Sequence, residues 1–136
     1  MAGELVTAAL CNTHIRDQLA ALRAIATPIS RGGVVVNSNG IAVAINVICC
    51  RMTLACTVAN VRGYRVAGTG ATINARKNGA SNHLSSALSL TSADTWMDGG
   101  SVQNTAYAVG DKLEIMVVTA TGGPTQIAVQ VDLVLT

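Results

Sequence analysis

The rhythm of hydrophobic and polar positions changes once along this chain. Residues 4–25 read as an amphipathic helix: Ile15, Leu19 and Leu22 recur at intervals of four and three, Ala26 continues the series, and Asn12 and Ala8 extend it backwards. That spacing places them on one helical face. His14, Arg16, Asp17, Gln18 and Arg23 fall mostly on the others. Thr7 is a good N-cap ahead of the helix-favouring Ala8-Ala9-Leu10. Pro28 stops the helix. The stretch Ser30-Arg31-Gly32-Gly33 then reads as a hinge into the first strand.

Beyond the hinge the apolar runs are short and separated by turn residues. "VVVNSNG", "IAVAINVICC", "MTLACTVANV" and "GYRV" read as strands. In "GTGATINARKNGASNHL" the pair Asn78-Gly79 predicts a type I′ hairpin. "LSSALSLTS" follows, then a polar loop, "ADTWMDGGS". "VQNTAYAVGDKLEIMVVTA" holds two strands around a Gly110-Asp111 turn, and "TGGPT" turns the chain again. The last segment, "QIAVQVDLVL", alternates so that Ile127, Val129, Val131, Leu133 and Leu135 share one face. The expected fold is mainly β: an antiparallel, jelly-roll-like β-sandwich preceded by one N-terminal α-helix. Its parts are residues 1–31, an oligomerisation or attachment helix with its hinge, and residues 32–136, the sandwich.

Composition narrows the setting. Of 136 residues, 50% are hydrophobic, 12% are charged, 2% are aromatic and none is Phe. So few charges cannot cover a monomer's surface well, and part of that surface is expected to be buried between chains. A net charge of +2 on scattered basic residues gives no nucleic-acid footprint. No basic segment leading into an apolar run opens the chain, so no export signal is expected. The most apolar stretch, "GIAVAINVICCRMTLACTVANV", is broken by Asn46, Arg51 and Asn60, too often for a membrane helix. Without export, Cys11, Cys49, Cys50 and Cys56 are expected as reduced, small hydrophobes. Cys49 and Cys50, as strand neighbours, should point to opposite faces.

Two stretches carry a resemblance. "GELVTAALCNTHIRDQLAALRA", with Val6-Thr7-Ala8, Asn12-Thr13, Arg16-Asp17, Leu19 and Leu22, resembles the N-terminal helical segment of tailed-bacteriophage fibre and minor structural proteins. "ATINARKNG" and "AVGDKLEIMVV", with Lys77-Asn78-Gly79 and Gly110-Asp111, resemble the β-sandwich modules that often follow it. The resemblance implies a homotrimer with its helices on the three-fold axis. It implies other virion proteins, of capsid or tail, as partners, and a place in the virion. Fibre proteins are usually longer, so a compact knob or a capsid decoration protein stands beside the tail fibre. The helix would then bury Ile15, Leu19 and Leu22 against its copies, at roughly 1.5–3 kcal/mol each. Asn12 would set the register. Otherwise the helix folds back onto its own sandwich, which a Gly32-Gly33 hinge permits.

Chemistry is sparse. His14 and His83 are the only histidines, and no nucleophile elbow surrounds His83 in "SNHLSS", which reads as a surface histidine beside a hairpin. Cys11 and His14 are too few for zinc. "GTGATINARKNG" lacks phosphate-loop spacing and reads as a turn. No catalytic residue, metal site or cofactor is expected, and the chain is not expected to be an enzyme. One loop, "TSADTWMDGGS", holds Trp96, the sole tryptophan, between Asp94 and Asp98. An aromatic flanked by carboxylates suits a host surface glycan. The same Trp96 could instead plug the sandwich end or an inter-subunit seam. Tyr64 and Tyr107 read as core or interface residues.

Overall fold

The computed structural model describes residues 13, 15–18, 29–37, 39–41 and 44–136. Residues 13 and 15–18 are helical, and Ile15 is 51% exposed in the single chain. Asn12, Leu19 and Leu22 lie outside the described residues, as do Cys11 and His14.

Among the described residues ten strands follow: β1 (Ile29–Val36), β2 (Ile45–Arg51), β3 (Cys56–Val66), β4 (Gly70–Lys77), β5 (Ser81–Asn82), β6 (Leu88–Ser89), β7 (Met97–Asp98), β8 (Ala106–Tyr107), β9 (Lys112–Thr121) and β10 (Gln126–Leu135). Every pairing is antiparallel. One sheet runs β1-β10-β3-β7, with β8 also on β3; the other runs β2-β9-β4-β5, with β6 also on β4. The first strand pairs with the last and the second with the last but one, β1 to β4 alternate between the sheets, and β9 returns to lie between β2 and β4. That nested order is a jelly roll. It leaves β1 and β2 as outer edges on the same side of the sandwich.

The core fills from alternating positions. On β10, Ile127, Val129, Val131 and Leu133 are buried as the alternation predicts, while Leu135 runs past the packed region and is exposed. On β3, Val58 and Val61 are both buried although three apart. A bulge explains this: Asn60 pairs with Asp132 but Val58 with Leu133, so Ala59 is the extra residue. They meet Ile73, Leu113, Ile115 and Val117 of the facing sheet.

Both turns behave as their residues demand. Asn78 and Gly79 have φ of 52° and 76°, and the Ala80 N–H donates to the Lys77 carbonyl at 3.1 Å, the I′ geometry. Around Gly110, whose φ is 98°, the Ala108 N–H donates to Asp111 Oδ2 at 2.9 Å. The two turns also clasp each other. Asn78 Nδ2 donates to Asp111 Oδ1 at 2.7 Å, and the Lys112 N–H donates to Asn78 Oδ1 at 2.8 Å.

Three local expectations change. Ser30–Gly33 are no hinge; they lie inside β1, paired with Asp132 through Val129 of β10. "GYRV" is no separate strand but the end of an unbroken β3. Cys49 and Cys50 do not simply face opposite ways. A register shift between Ile48 and Cys50 lets both pack against the core as free thiols. Among the described residues, no helix is long and apolar enough to cross a membrane.

Candidate functional site

The outer face of the β1-β10-β3-β7 sheet gathers the polar and aromatic residues. A Cβ on Gly33 would meet Ile115 of the facing sheet, so Gly33 points inward. Ser30, Gly32 and Val34 therefore point outward. They pair with Asp132, Gln130 and Ala128 of β10. These in turn pair with Asn60, Arg62 and Tyr64 of β3, and Arg62 with Asp98 of β7.

A hydrogen-bonded polar band crosses all four strands. Ser30 Oγ donates to Asp132 Oδ1 at 2.7 Å, and Gln130 Nε2 donates to the same oxygen at 2.8 Å. Arg62 bridges two carboxylates, Asp132 and Asp98, at 3.4 Å each. Asn60 Nδ2 donates to Asp98 Oδ2 at 2.8 Å, and the Gly100 N–H to Oδ1 at 3.1 Å. The Asn60 amide and then the Gly100 N–H, with help from Arg62, hold the Asp98 carboxyl below its ordinary range.

Beside the polar band stand two aromatics. The Trp96 and Tyr64 rings lie 5.4 Å apart at 44°, and the Tyr64 hydroxyl donates to Asp94 Oδ1 at 3.3 Å. Burial, then the Asp94 carboxylate, pushes the Tyr64 hydroxyl pKa up. Trp96 remains 50% exposed. Two depressions adjoin at Trp96 and Gln130. One, about 430 Å³, also takes in Gly32, Val34, Tyr64 and Gln126. The other, about 410 Å³, takes in Arg62, Met97 and Asp98.

Of the three loop residues singled out in the sequence, Trp96 and Asp98 share a depression, while Asp94 serves Tyr64. Trp96 is no plug at the end of the sandwich; it stands on a sheet face. Tyr64, Arg62 and Gln130 carry as much of this site and went unnamed as ligand residues. Their signal was available. In "NVRGYRV" and "QIAVQVD" the alternate positions Asn60, Arg62, Tyr64 and Gln126, Gln130, Asp132 are the polar phase. Among the described residues, no group of three His, Cys, Asp or Glu side chains could hold a metal.

His83 is corrected outright. It is 0% exposed, not a surface residue. Its N–H continues the β4 edge by donating to the Ala75 carbonyl at 2.8 Å, which turns the ring inward. Nδ1 lies 3.3 Å from the Gln103 carbonyl, which can only accept, so Nδ1 carries the proton. Nε2 therefore accepts from the Tyr107 hydroxyl at 2.7 Å. Burial, reinforced by the Lys77 charge, pushes the His83 pKa below its ordinary value, against the Gln103 bond. The unfolded chain then takes the proton first as pH falls. Stability is full above about pH 7 and declines below about pH 6.5. The wild-type melting temperature is expected to fall between pH 7.5 and 5, a window above the carboxylates. His83→Gln should melt lower at pH 7.5 but with a flatter profile. An equally steep profile in the variant would refute the assignment.

The side of the sandwich where β1 and β2 end the two sheets is different in kind. Ile29, Val36, Val47 and Ile48 are exposed there. A cavity of about 290 Å³ opens nearby, walled by Ile29, Cys50, Met52, Leu54, Leu133 and Leu135. The described chain is thus a jelly-roll sandwich with one polar-aromatic sheet face and one apolar, unpaired edge.

Two solved structures superpose in part on the chain. The chain superposes on one from the cyanophage Pam1 capsid asymmetric unit with a TM-score of 0.49 and 18% identity, covering 80% of this chain and 85% of that one. It superposes on the C-terminal domain of EclA, a sugar-binding protein, with a TM-score of 0.37 and 17% identity, covering 74% of each. No protein-family model and no curated protein matches it.

Proposed function

We propose that this chain is a structural protein of a phage particle that acts by assembling with copies of itself, without catalysing a reaction. One observation carries the reading: among the described residues β1 and β2 are edge strands that lie side by side and expose four aliphatic side chains, in a chain with 12% charged residues. An edge of this kind is a template for association unless it is covered. The N-terminal resemblance supplies the phage setting, and the fold likenesses carry none of the argument. The finer form is a homotrimer on the virion surface, either capsid decoration or tail fibre and knob. Its N-terminal helices gather on the axis, and other virion proteins are its neighbours.

Native mass spectrometry tests this reading. The expected mass is three times the 13.9 kDa of the chain. Val36→Lys with Ile48→Lys should yield folded monomers, since both side chains are exposed and their lysines would repel across the edge. Removing residues 1–27 should weaken the trimer. A monomeric wild type at micromolar concentration, or a doubly substituted trimer as tight as wild type, would overturn the reading.

A further inference from the structure

We propose that the outer face of the β1-β10-β3-β7 sheet binds a neutral oligosaccharide, with Trp96 as the stacking platform between two adjoining subsites. The proposal is independent of the assembly reading. A sugar ring has an apolar C–H face and a rim of hydroxyls, so its site needs an aromatic surface beside mixed donors and acceptors. This face offers both within one pair of depressions.

The platform is held in place before any ligand arrives. The two residues after Trp96 pair with β3, Met97 opposite Gly63 and Asp98 opposite Arg62. Tyr64 backs the indole at 5.4 Å and is itself anchored on Asp94. Little order remains to be created on binding, which favours affinity.

The polar partners remain available. Gln126 makes no side-chain hydrogen bond to the described residues and borders one depression, so its amide can offer a donor and an acceptor. Gln130 spends Nε2 on Asp132 and Ser30, so its Oε1 can accept from a hydroxyl. Asp98 borders the other depression as an ionised acceptor.

Charge selects a neutral sugar. Arg62 is already shared between Asp98 and Asp132. Around the face, Asp94, Asp98 and Asp132 outnumber Arg31 and Arg62, so an acidic sugar meets net repulsion. The two depressions meet at Trp96 and Gln130, so the ligand has at least two rings.

Trp96 is the sole tryptophan, so its fluorescence reports on the site directly. The full chain is titrated with maltotriose, cellotriose, N,N′,N″-triacetylchitotriose, mannotriose and lactose, with 3′-sialyllactose as the anionic arm. At least one neutral sugar should shift the emission saturably, and sialyllactose should bind no better than lactose. By calorimetry, Trp96→Ala should weaken binding about tenfold or more, and Gln126→Ala about threefold to tenfold, with little change in melting temperature. Silence across the neutral panel, tighter binding of the sialylated sugar, or unchanged affinity in Trp96→Ala would overturn the proposal. So would emission that tracks protein concentration and ignores sugar, since Trp96 would then lie in a seam between copies. Loss of the trimer with sugar binding intact would defeat only the assembly reading.

Discussion

Replacing Arg65 by methionine should cost the fold roughly 3–4 kcal/mol and lower its melting temperature by about 10–15 °C. Arg65 is 2% exposed, yet no carboxylate among the described residues pairs with it. Its charge is met by backbone carbonyls. Nε donates to Leu90 at 3.0 Å, Nη2 to Thr91 at 3.0 Å, and Nη1 to Gly68 at 2.7 Å and to Ala67. One guanidinium thereby holds two crossings. The first is the β3–β4 turn, where Ala67 and Gly68 take φ of 57° and 68°; the second is the strand-free chain at 90–91.

Exchanging a buried ion pair for apolar side chains is often neutral, because both charges leave together. Here the acceptors are main chain and stay behind. Methionine fills the volume but donates nothing, so several carbonyls lose their partner at once. Water reaching the end of the sandwich keeps the cost below the full sum. Arg65→Lys should fall between the two, since one ammonium cannot span the fork. The Asp94 N–H also donates to the Arg65 carbonyl at 2.8 Å, so the Trp96 emission should redden in the methionine variant. A melting temperature within about 3 °C of wild type would show that solvent already satisfies those carbonyls.

Gly32→Ala is the second large effect, at about 3 kcal/mol by chemical denaturation. A Cβ there would sit 2.0 Å from the Val129 carbonyl oxygen and 3.0 Å from the Gln130 Cα. Both atoms are backbone, so no side chain can swing aside. Strand β1 would have to lift from β10, along a ladder that runs from Ile29 to Val36. A glycine in a free hinge would behave otherwise, tolerating alanine or gaining slightly from it. Gly70→Ala is the control: its Cβ meets nothing within 4 Å, so the change should stay within about 1 kcal/mol. Equal effects at the two positions would disprove the close approach of β1.

The hinge expectation failed for a reason that extends to the other misses. Ser30-Arg31-Gly32-Gly33 has the residues of a turn and too little side chain to argue for a strand. It is a strand because β10 offers it a ladder of backbone partners. The two-residue β7 sits inside an apparent loop for the same reason, being made by its pairing to β3. His83 lies among polar neighbours, and only the Ala75 and Tyr107 partners turn it inward. Arg65 keeps the inward phase of Val61 and Gly63, but its charge argued against reading that phase literally. The site is the same lesson at larger scale. Tyr64, Trp96 and Gln130 are distant in the chain and meet only because β10 and β7 flank β3.

By itself the amino-acid sequence determined whatever depends on neighbours along the chain. Asn78-Gly79 and Gly110 turn because they tolerate positive φ, and Ile127 to Val131 face inward because strand side chains alternate. It also carried the sandwich class, since short apolar runs between turns can bury themselves only as packed sheets. Tertiary structure alone decided which strands lie side by side. It therefore decided which strands form the sheet edges, which arginine is clamped by carbonyls, and which polar residues share a face with Trp96. Strand order is a contest among distant partners for the same hydrogen bonds and the same core volume, and no local pattern records its winner.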